Sequence, residues 1–183
     1  RGDDAEQQAD LAAFLRERLA AIGRPQSEEV LSRILQRSEG AFHYAVLLLE
    51  DVRQGRCDLE NPVDLPAGLN PFYLQTFLRR FPDNEFYRRQ TRPLLELLLA
   101  GPLPVPLAVL AGATNREAAD VRQDLGALGS LVVIEPVHGE SDPDWDTVRL
   151  SHASLRGWLT GLDATRQPLA GGYTAKMDTR KLA

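Results

Sequence analysis

The sequence predicts a mainly α chain: a small helical domain, then a second domain of helices closed by a short two-stranded β-hairpin and a last helix. Three observations carry this. Apolar residues recur at helical spacing in successive segments up to Leu128. Glycine and proline fall where those patterns stop, as at Gly23, Pro25 and Gly55. The apolar run Leu131–Ile134 and the segment Thr147–Leu150 flank an acidic, turn-forming stretch, which reads as strand, turn, strand.

Leu11, Phe14, Leu15, Leu19 and Ile22 lie at i, i+3, i+4, i+8 and i+11, one apolar stripe of a first helix. Ser27 can cap a second, whose first turn carries Glu28 and Glu29 where the helix dipole favours anions. Its buried face is Val30, Leu31, Ile34 and Leu35, and Ser38-Glu39-Gly40 breaks it. A third helix, Ala41 to Gln54, is apolar nearly all round and reads as central. Residues 56–68 have two prolines and little periodicity and read as a linker. Asn70 then caps and Pro71 opens a connecting helix with Phe72, Leu74, Phe77, Leu78 and Phe81 on its apolar side.

A further helical pattern starts near Asn84 and meets Pro93, where it must kink or split. After Pro102, Pro104 and Pro106 come a short helix at Leu107–Leu110 and a longer one at Arg116–Leu128, with Ala119, Val121, Leu125 and Leu128 apolar. Ser151 is placed to cap the final helix, His152–Leu159. Helix, helix, helix, strand, turn, strand is the order of a winged helix. The expected division is therefore 1–55 helical domain, 56–83 linker and connecting helix, 84–160 winged-helix domain and 161–183 tail.

Composition narrows the function. The chain has 183 residues, 43% hydrophobic and 26% charged, which is the range of a folded globular protein. Its formal charge is -5. No G-x-x-x-x-G-K-[ST] motif occurs, and the only lysines are Lys176 and Lys181, so these residues form no phosphate-binding P-loop and no ATPase of that class by themselves. The three histidines, His43, His138 and His152, and the single Cys57 lack the paired spacing of metal ligands. Leu94–Ala113 carries one charge, Glu96, yet its prolines rule out a continuous spanning helix. The acidic, polar start Arg1-Gly2-Asp3-Asp4 and the lone thiol point to the cytoplasm.

A winged helix that reads DNA needs positive charge on its third helix and wing. Here the third helix sets Arg116 and Arg122 against Glu117, Asp120 and Asp124, and the wing holds Glu140, Asp142, Asp144 and Asp146. A DNA-binding transcription regulator is the alternative reading, and the charge argues against it. The arginines Arg79, Arg80, Arg88, Arg89 and Arg92 read as a solvated helical face or as a partner or phosphate contact. His152 follows a strand and opens a helix, a place where exposed N–H groups bind anions.

Three segments carry a resemblance. Ser38-Glu39-Gly40-Ala41-Phe42-His43-Tyr44-Ala45 resembles the S-x-G-x-F-x-Y-A stretch of NACHT-type ATPases of the STAND class, with Ala41 and His43 departing from the usual apolar residues. Leu65-Pro66-Ala67-Gly68-Leu69, with Tyr73 downstream, resembles their L-P-x-G-L…Y linker. Leu150-Ser151-His152-Ala153-Ser154-Leu155 through Trp158-Leu159 is similar to their L-S-H-x-S-[FL]-x-x-[FW]-L segment. The resemblance implies a helical lid and winged helix that close ADP, or ATP with Mg, against a P-loop ATPase domain of the same polypeptide. It implies a C-terminal sensor domain and homo-oligomer formation on activation, and no catalysis by this chain alone. Gly40 and Phe42 fall where such proteins pack against adenine, and His152 where they hold the β-phosphate of ADP. It further implies either a piece of a longer signalling protein or a diverged relative.

Overall fold

The computed structural model describes residues 2–101, 104–137 and 142–161. Pro102, His138, Glu140 and the tail from residue 162 lie outside them. The fold is mainly α with a small antiparallel sheet. The chain divides into two compact units between Thr76 and Phe77.

The first unit holds α1 (Gly2–Ala21), α2 (Glu28–Ser38), α3 (Phe42–Arg53) and the start of α4 (Leu69–Arg80). Leu11, Leu15 and Leu19 are buried on α1 as the stripe requires, and Val30, Leu31 and Ile34 on α2. Ser27 caps α2 by accepting the Val30 N–H at 3.3 Å. Helix α3 is less enclosed than its composition suggests. Tyr44, Ala45, Leu47, Leu48 and Val52 are buried, but Phe42 and Val46, one turn apart, are exposed.

Residues 56–68, read as a linker, fold back as a packed strap. Leu65 is fully buried, and Cys57 and Leu59 are buried as well. The strap is anchored at its start by Arg56, which donates twice to Oδ1 of the buried Asp51, at 2.8 and 3.0 Å. Its middle is a 3-10 turn, Pro62–Asp64, capped by Asn61. Helix α4 starts at Leu69, so Asn70 sits inside its first turn. Its apolar side is also turned. Phe72, Tyr73, Thr76 and Phe77 are buried while Leu74 and Leu78 are exposed.

In the second unit, α5 (Asn84–Phe86) runs through a π turn, Tyr87–Thr91, into α6 (Arg92–Ala100). Pro93 explains the widening. It has no N–H for a regular helical bond, and the Arg92 N–H reaches back five residues to the Tyr87 carbonyl. Helices α7 (Leu107–Thr114) and α8 (Ala118–Ala127) follow, with Val121, Leu125 and Leu128 buried and Ala119 on the exposed side. The expected hairpin is present as β2 (Val132–Glu135) and β3 (Thr147–Leu150). It gains a third strand, β1 (Val105–Pro106), in the order β1-β3-β2 with Val105 opposite Val148. The prolines hid that strand, because they break helices and are depleted from most strands. Helix α9 (Ala153–Thr160) sends Leu155, Trp158 and Leu159 into the core, where Trp158 meets Phe77 at 5.1 Å between ring centroids.

Candidate functional site

The α2–α3 corner is built from backbone conformations few residues tolerate. Glu39 and Gly40 have φ of 52° and 78°, in the left-handed region where glycine is favoured. Buried Ser38 holds them: its hydroxyl donates to the Leu35 carbonyl at 2.8 Å and accepts the Gly40 N–H at 3.3 Å. Gln7 of α1 donates to the Gly40 carbonyl at 3.1 Å. Phe42 leaves this corner 39% exposed, with its ring centroid 5.8 Å from that of Phe14. Arg18 lies over the other ring of that pair, 5.6 Å from the Phe14 centroid. Gly40 and Phe42 thus lie on one surface of the first unit, with Phe42 part-exposed.

The strap docks onto the same corner. The Tyr44 hydroxyl donates to the Pro66 carbonyl at 2.9 Å, and the Gly68 N–H donates to the Arg37 carbonyl at 2.8 Å. Gly68 has φ of 76°, and a Cβ there would stand 3.1 Å from the Glu39 carboxylate. Tyr44 also meets Phe72 edge-on at 4.7 Å. The two sequence segments around Gly40 and Gly68 are therefore one packed feature. Tyr44 and Glu39 stand in the quoted motif and Arg37 beside it, but nothing in their spacing announces partners more than twenty positions away.

The third segment lies in the second unit. Leu150 ends β3, and the Ser151 N–H continues the ladder by donating to the Leu131 carbonyl at 3.0 Å. That pairing keeps Ser151 in the sheet, and its hydroxyl is buried without a hydrogen bond. Ser151 is thus not the cap of the last helix. The cap is His152, with extended backbone, whose Nδ1 accepts the Ser154 N–H at 3.1 Å and lies 2.7 Å from Ser154 Oγ. An imidazole whose Nδ1 accepts a backbone N–H carries its proton on Nε2 when neutral. His152 is exposed at the start of α9.

Charge around α8 of the second unit is paired internally. Arg116 bonds Asp124 at 2.5 Å, and Arg122 bonds Asp146 at 2.9 Å and the Pro143 carbonyl. On the hairpin, the guanidinium of Arg149 hydrogen-bonds Glu135 and holds that carboxyl below the usual range. Among the described residues no group of three His, Cys, Asp or Glu side chains could hold a metal ion. Among them, too, no helix is long and apolar enough to cross a membrane. No protein-family model, curated protein or solved structure matches this chain.

Proposed function

We propose that the chain is the regulatory helical and winged-helix module of a NACHT-like STAND signalling ATPase, acting in the cytoplasm. In that role it closes on ADP held by a P-loop domain of the same polypeptide and gates assembly. It catalyses nothing by itself. The observation that carries this reading is the capping geometry of His152. Its Nδ1 accepts the Ser154 N–H, so the neutral ring carries its proton on Nε2, and an Nε2–H at a helix start is the kind of donor a phosphate oxygen accepts. The exposed ring of Phe42 beside Gly40 suits an adenine face, since a purine gains by stacking on a partly open aromatic surface. The internal pairing of Arg116 and Arg122 supports domain packing over the DNA-binding alternative.

One hydrogen bond to a charged phosphate contributes roughly 1.5–3 kcal/mol, or about ten- to a hundredfold in affinity. That suffices to bias a two-state switch toward its closed form. The test uses the full-length protein. His152→Ala and His152→Ser should both speed ADP dissociation and raise basal activation. Serine retains a capping oxygen without adding charge, so the second variant separates the phosphate contact from loss of the cap. Unchanged ADP dissociation in His152→Ser would refute the assignment.

A further inference from the structure

The first unit carries a cleft of about 520 Å³ at the end of α3 away from the Gly40–Phe42 corner. Small-molecule sites have volumes of roughly 300–1,000 Å³. Two helix ends and the strap wall this one. Helices α1 and α3 stop in the same way. Past α1, the Gly23 N–H returns to the Ala20 carbonyl at 3.0 Å and the Arg24 N–H to Leu19 at 2.8 Å. Past α3, the Gly55 N–H returns to Val52 at 3.0 Å and the Arg56 N–H to Asp51 at 2.8 Å. Each is the doubly bonded turn that closes a helix on a glycine. Gly23 and Gly55 both line the cleft, so both helix ends border it. A Cβ built on either glycine meets nothing within 4 Å, so the space before them is open. Val52, Cys57 and Leu59 line the cleft from its buried side. Arg24, Asp58 and Glu60 line it as exposed residues.

Each part of this lining selects a different part of a ligand. The apolar floor takes a short hydrocarbon body, because covering it removes apolar surface from water. The carboxylates of Asp58 and Glu60 suit a protonated amine, and the two helix ends add partial negative charge. Arg24 brings a guanidinium, whose fork matches a carboxylate. Arg53 and Arg56, next to the cleft in sequence, bond Glu50 and Asp51. We infer that the cleft binds a small aliphatic amino acid. Its ammonium goes to Asp58 and Glu60, its carboxylate to Arg24 and its side chain to the floor of Val52, Cys57 and Leu59. The walls are tied in place by the helix-closing bonds, which lowers the entropic cost of binding. This inference does not depend on the nucleotide reading. It concerns the first unit alone and the opposite end of α3.

The probe is L-leucine, with leucinamide, 4-methylpentanoate and glycine beside it. These lack, in turn, the carboxylate charge, the ammonium and the hydrocarbon body. On the nitrogen-15-labelled full chain, leucine should move the amide signals of Gly23 and Gly55 saturably. Those of Gly112 and Gly126, in the second unit, should stay in place. Leucinamide should bind about fivefold more weakly, and 4-methylpentanoate and glycine at least about tenfold more weakly. Arg24→Gln should bring leucine down to the level of leucinamide and leave leucinamide unchanged. Asp58→Asn with Glu60→Gln should weaken both about tenfold, while asparagine keeps the acceptor for the Glu60 N–H. Leucine should also slow the reaction of Cys57, the single cysteine, with a thiol reagent. All three substituted residues are exposed, so an unchanged melting temperature is the check that the fold is intact. No saturable movement up to about 20 mM leucine would overturn the inference. So would 4-methylpentanoate or glycine binding as tightly as leucine, or Arg24→Gln weakening leucine and leucinamide alike.

Discussion

Tyr87 sits at the first position of the π turn, buried between Phe77 and Phe81 with ring centroids 6.0 and 5.2 Å away. Its hydroxyl is buried without a hydrogen bond. Burial is the main reason its pKa is pushed up to about 12, with Arg92 pulling it down and Glu96 pushing it further up. In the unfolded chain the same phenol ionises near 10. Between those values the folded protein binds a proton that the unfolded chain has lost. The resulting stability is fully present below pH 10 and drains away as pH rises toward 12. At roughly 1.4 kcal/mol per tenfold, the full loss is about 3 kcal/mol, and about half of it is spent by pH 11. The assay is urea unfolding followed by the fluorescence of the buried Trp158, repeated from pH 8 to pH 12. Other groups ionise in that window, so the informative quantity is the difference between parent and Tyr87→Phe. The variant should lack this part of the loss. It should also be more stable at pH 8 by about 1 kcal/mol, because it removes a buried hydroxyl that bonds nothing. Parallel curves for parent and variant across that range would refute the buried, unbonded phenol.

Three further perturbations test other parts of the fold. Asp51→Ala leaves the Arg56 guanidinium without its buried acceptor and should cost the first unit about 2–3 kcal/mol in urea unfolding; Arg56 keeps some solvent contact, which limits the loss. Gly68→Ala places a methyl 3.1 Å from Glu39 at a φ of 76°, and should loosen the strap by about 1–2 kcal/mol, read as faster hydrogen exchange of the Gly68–Arg37 bond and faster proteolysis of residues 56–68. Ser27→Ala removes the α2 cap and should lower stability by about 1 kcal/mol, with Ser27→Asp restoring it, both measured by thermal unfolding.

Much of this architecture was legible because local rules and tertiary packing agree. The stripe of Leu11, Leu15 and Leu19, the Ser27 cap and the Gly40 corner need only helical geometry and the steric freedom of glycine. The failures share one physical origin, a partner distant in sequence. Leu65 is buried without periodicity because the strap is held by Tyr44 and Arg37, not by a regular element. The buried side of α4 is Phe72, Tyr73, Thr76 and Phe77, so its core face is set by what packs there and not by where Leu74 and Leu78 fall. Ser151 has the better intrinsic cap propensity, yet the sheet takes its backbone and the histidine caps instead. At the candidate site, Gly40 and Phe42 share one surface of the first unit, and His152 belongs to the second. Sequence could place His152 at a helix start, but its ring nitrogens were assigned roles only by the bond to Ser154.

The short strand β1 has a consequence for how this protein can be approached. The Leu107 N–H points inward, toward Asp146 at the β3 side. Backbone donors alternate along an extended chain, so the donors of the residues one and three before it would face outward. Those residues are Pro106 and Pro104, which have no N–H to offer. A foreign strand laid along that edge would find its carbonyls facing missing donors at every other position. The sheet is thereby closed on this side to strand addition, the commonest route by which small sheets recruit peptides or stick to their own copies. Recognition along this edge of the second unit must then be a matter of side chains, not of a borrowed strand.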